Sequence, residues 1–135
     1  MTPHPYLRAW LAGIAPPTLL LLVAVSAYTV TWHYVPIPET VERRVMFPMA
    51  VVPNLWGLWN ALYLATHHRT RLSLGMHGAL LPILLIPAGL LFGRLVGYQL
   101  VTPAQALLLS PVAVAVYYLV WKHVVGFLNE ELGIG

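Results

Sequence analysis

Four long apolar runs separated by three short polar breaks constrain this chain more than any other feature, because they define the solvent in which it can fold. The runs extend from Ala9 to Tyr34, Val45 to Thr66, Gly75 to Val96 and Ala104 to Val125. As a helix, each is long enough to cross a hydrocarbon core of about 30 Å. The expectation is therefore an all-α membrane protein, a four-span transmembrane helical bundle forming one integral domain. Composition agrees: 59% of the 135 residues are apolar and only 8% are charged. A soluble domain of this size could not solvate such a surface. The first run lacks a small-residue cleavage site and exceeds the core of a secretory signal, so a retained span is predicted there.

The residues that are missing exclude several kinds of chemistry. There is no cysteine and no aspartate, and the four acids Glu39, Glu42, Glu130 and Glu131 all lie outside the runs. No carboxylate is available within a membrane for a proton relay or for paired acid–base catalysis. Thiol redox chemistry is excluded, as is a site holding Mg²⁺ on several aspartates. No phosphate-binding loop, zinc-peptidase or serine-hydrolase motif is present, so the expectation leans away from an enzyme. Four spans place both termini on one side together with Arg8, Arg69, Arg71 and Lys122. Arg43, Arg44 and Arg94 then face the other. That asymmetry favours cytoplasmic termini in a bacterial inner membrane. The formal charge of +3 suits anionic headgroups as partners rather than nucleic acid.

Every run contains proline: Pro16 and Pro17, Pro48 and Pro53, Pro82 and Pro87, and Pro111. Each proline removes a backbone hydrogen bond, so proline-kinked helices with cavities between them are expected. Asn54 and Ser110, beside Pro53 and Pro111, are candidates to satisfy freed carbonyls. In the second run Trp56, Trp59, Asn60 and Tyr63 fall within an arc of about 100°. Facing inward, with Asn54 nearby, they would form a ligand-binding pocket for a lipid-like or other apolar small molecule, its carbonyl or hydroxyl fixed by the Asn60 amide. Facing a neighbouring helix, the same aromatics are packing residues.

Gly89, Gly93 and Gly97 recur every four residues and predict a close helix contact, either within one chain or in a homo-oligomer. Arg94 beside them reads as a side chain reaching to the headgroups or as an anion contact. His67, His68, His77 and His123 share the terminal side, and a second function follows from them: a histidine-ligated metal or haem subunit of a membrane oxidoreductase. The alternative use of His67-His68-Arg69-Thr70-Arg71 is a wet basic loop touching lipid phosphates. Tyr117-Tyr118 with Trp121-Lys122 reads as an interfacial anchor. The leading expectation is a non-catalytic protein, free of cofactor, that binds or moves an apolar molecule. A third reading is an accessory subunit of a larger membrane complex.

Overall fold

The computed structural model describes residues 3–36, 39–95, 97 and 101–134, with the side chains of 39–50 outside the description. It is all-helical, with no strand among the described residues. The order is α1 (Pro5–Tyr34), α2 (Glu39–Thr70), α3 (Leu74–Leu95) and α4 (Pro103–Val120). A π-helical turn (Trp121–Val125) then continues into α5 (Gly126–Glu131). Among the described residues, three segments are long and apolar enough to cross a membrane: Pro5–Tyr34, Leu74–Leu95 and Pro103–Glu131. In the second run, Val45 to Ala50 lies outside the residues whose side chains are described.

Several helix ends differ from the limits of the apolar runs. The backbone of α2 is already helical at Glu39, so Glu39, Glu42, Arg43 and Arg44 belong to a helix rather than to the connecting loop. The last helical segment continues past Val125 to Glu131. Apolarity marks the stretch that suits lipid, but a helix keeps its backbone bonds into water as long as nothing breaks it. Pro16, Pro17, Pro82, Pro87 and Pro111 all sit inside continuous helices. At Pro111 the missing N–H would have bonded the Leu107 carbonyl, and the Ser110 hydroxyl donates to that carbonyl at 3.0 Å. The expectation that Ser110 repairs its proline is met. A capping box starts α4, in which the Gln105 N–H donates to the Thr102 hydroxyl and the Thr102 N–H to the Gln105 side chain. Both groups are thereby satisfied at the first turn.

The chain divides into two compact units, Met1–Leu64 with Asn129–Gly135, and Ala65–Leu128. In the first, α1 and α2 meet at backbone distance. A Cβ added to Gly13 would fall 2.5 Å from the Trp56 carbonyl oxygen and 2.9 Å from the Gly57 Cα. Only a residue without a side chain permits that approach. Trp10 covers the other side of Gly57, its ring where a Cβ would project. Beside this crossing, Asn60 is fully buried. Its amide donates to the Ala9 carbonyl and to Asn129 Oδ1, both at 2.7 Å, and the Asn129 amide donates back to Asn60 Oδ1 at 3.2 Å. Arg8 adds a bond to the Leu132 carbonyl at 3.0 Å, so two polar contacts tie the C-terminal segment to this unit.

In the second unit α3 and α4 run antiparallel. Gly75 lies against Tyr118 and the stem of Lys122, and Gly78 against Trp121. Trp121 is fully buried, which corrects its reading as a headgroup-level anchor. Gly78 leaves room for the indole, and the His77 ring approaches it edge-on with centroids 6.1 Å apart. Trp121 opens the π turn and Val125, equally buried, closes it. The tight glycine contact of α3 is therefore made by Gly75 and Gly78, near its start.

Candidate functional site

Farther along the same two helices, three adjoining cavities of about 360, 210 and 330 Å³ lie between α3 and α4. Ile86 lines all three, and Pro87, Leu90, Ala106 and Ser110 are each shared by two, so they adjoin in a row along the α3–α4 seam, together termed the groove. It starts at Pro82 and Val114 and extends to Gly93 and Val101. Two local causes open it. Small residues face each other, with Gly89 and Gly93 on α3 and Ala106 and Ala113 on α4. Prolines, with rigid rings and no N–H, occupy both walls at Pro82, Pro87, Pro103 and Pro111.

The lining is apolar apart from Ser110, whose hydroxyl is already bonded to Leu107. No titratable side chain is among these lining residues. Such a surface suits apolar groups, whose burial there removes methylene surface from water.

The five residues proposed from sequence as ligand-binding lie elsewhere. Trp56 and Asn60 are buried, Trp59 and Tyr63 are half-buried and Asn54 is exposed. None of them lines the three cavities. Asn60 was read as a hydrogen-bonding group for a ligand, and its amide is engaged by Ala9 and Asn129.

Of the three glycines assigned to helix packing, Gly93 is buried, whereas Gly89 has no atom within 4 Å of a hypothetical Cβ. Gly97 lies beyond the end of α3 with φ of 68°, and its N–H bonds the Arg94 carbonyl at 3.4 Å. It terminates the helix, a role in which glycine is favoured because φ is positive, and does not extend the glycine stripe.

The histidines are also dispersed in role. His77 is buried against Trp121. His67 and His68 stack on each other with centroids 3.7 Å apart, and His123 is exposed. Among the described residues no three His or Glu side chains gather closely enough to hold a metal ion.

No family model matches this chain, and neither does any curated protein or solved structure at a significant level. The sequence predicts cavities between proline-bearing helices but not which helices enclose them. The prolines were read as kinks, but placing a cavity between α3 and α4 requires the register in which Pro82 meets Val114 and Gly93 meets Val101.

Proposed function

We propose that this chain is a four-span integral membrane protein that binds a lipid-like, chain-shaped apolar molecule in the α3–α4 groove without catalysing a reaction on it. The groove itself carries the reading: a row of half-open apolar cavities between two helices, with its one hydroxyl already satisfied. The proposed setting is a bacterial inner membrane with both termini cytoplasmic, following the basic residues.

Two features support a membrane setting. Leu20, Leu95, Leu107 and Leu108 are each at least 70% exposed, as lipid-facing residues are. On α1 the exposed hydroxyls of Thr18, Ser26, Thr29 and Thr31 all donate to carbonyls four residues back, at 2.7 to 2.9 Å. Hydroxyls satisfied within their own helix suit a solvent that offers no partners.

Native mass spectrometry of the gently solubilised protein tests this reading. The expected result is the chain mass plus one retained lipid-like molecule per copy. A metal or haem adduct would transfer the function to the histidines. A lipid-free dimer would assign the open space at Gly89 to a second copy, and a bare monomer would leave the groove without a guest.

A further inference from the structure

We propose that the guest is an anionic phospholipid, with one acyl chain along the groove and its phosphate held by Arg94. This rests on the groove being an acyl-chain site. Length is the first argument. From Pro82 to Gly93 the groove follows α3 for about 16 Å at about 1.5 Å per residue. A hydrocarbon core is about 30 Å thick, so the groove spans about one leaflet. A chain lying in it ends at the membrane surface where α3 ends.

Charge is the second argument. Arg94 directly follows Gly93, occupies the last turn of α3 and is exposed. It is the only charged residue between Arg71 and Lys122. The unit that contains the groove, Ala65–Leu128, has four cations and no Asp or Glu. No acid of this unit can neutralise the guanidinium; the acids nearest the same end in a four-span topology, Glu39 and Glu42 at the start of α2, belong to the other unit. A guanidinium pairs with phosphate through two parallel N–H donors, a geometry suited to a phosphodiester. Arg94 also meets the negative end of the α3 dipole. That role alone would respond to charge but not to the headgroup of a bound lipid, which separates the two.

The remaining cations, Arg69, Arg71 and Lys122, belong to the opposite end of α3 and α4. Lys122 stands beside Gly75, seven residues before Pro82, about 10 Å short of the groove. They face the other leaflet's headgroups and take no part in holding this lipid.

The test presents the full-length protein in detergent with equal amounts of phosphatidylglycerol and phosphatidylcholine of identical chains. Native mass spectrometry reads which is retained. One lipid per chain is expected, with phosphatidylglycerol favoured roughly fivefold, the contribution of one cation near a membrane surface. Arg94→Gln should keep one lipid per chain but abolish the preference, and Arg94→Lys should restore most of it. Arg71→Gln combined with Lys122→Gln should leave it unchanged. Gly89→Leu should expel both lipids while circular dichroism reports an intact helical fold. An unchanged preference in Arg94→Gln, or a lost one in the Arg71/Lys122 double variant, would overturn the assignment of the headgroup alone. Wild-type retention of both lipids in Gly89→Leu would instead overturn the groove as the acyl site.

Discussion

Gly13→Ala is expected to destabilise the protein by roughly 3 kcal/mol, at the upper end of what overpacking usually costs. Gly89→Ala should leave it unchanged or stabilise it by up to about 1 kcal/mol. The chemical change is the same and the surroundings decide the sign. At Gly13 the new methyl group meets the Trp56 carbonyl oxygen at 2.5 Å and the Gly57 Cα at 2.9 Å. These are backbone atoms, which cannot rotate away as a side chain can, so relief requires α1 and α2 to separate. That separation would also loosen Trp10 from Gly57 and strain the Asn60 bond to Ala9 on the same helix. At Gly89 there is no atom to displace, and the helix propensity of alanine is the main remaining effect. Thermal unfolding of both variants in one detergent gives the comparison. Equal stabilities would show that α1 and α2 do not cross at Gly13.

Asn60→Leu and Asn129→Leu should each destabilise by about 2 kcal/mol, and the double variant by much less than their sum. Each single change leaves a buried amide facing an apolar group, and an unsatisfied buried polar group costs about 1 to 3 kcal/mol. Removing both partners leaves nothing unsatisfied between them, since Ala9 O keeps the Gly13 N–H of its own helix. The double-mutant cycle should return a coupling of about 1 kcal/mol or more, within the range for residues in direct contact. Additive losses would mean that the two amides do not pair. The pair also accounts for the position of the chain end, because Asn129 is 69 residues from Asn60 and the segment after it carries the Arg8 contact at Leu132.

The helices were legible because a long apolar run is most economically folded as a helix, which satisfies its backbone within one segment, and three of the helices are long and apolar enough to cross a membrane among the described residues. Their ends were less so. Hydropathy does not register the polar helical residues Glu39 to Arg44, nor the π turn that carries α4 into α5. Gly97 continued a four-residue spacing whose meaning changed once α3 had stopped at Leu95.

Trp121 shows the limit of local pattern. Next to Lys122 and His123 it has the sequence of an interfacial anchor, and only its opposition to Gly78, far away in sequence, puts it in the core. Asn60 stood out as a polar residue within an apolar run, and its importance could be read from that. Its partner could not, since nothing in the sequence pairs it with Asn129. The groove follows the same rule: prolines and alanines announce room somewhere, while helix register decides where.

The most direct measurement is where a guest touches the chain. A phospholipid with a photoactivatable group at mid-tail, cross-linked in vesicles and located by peptide sequencing, should label α3 and α4 between Pro82 and Val114, around Ile86 and Leu90. Labelling concentrated between Asn54 and Tyr63 would return the site to the aromatic face of α2, and labelling spread evenly over all exposed leucines would mean that the groove selects no guest.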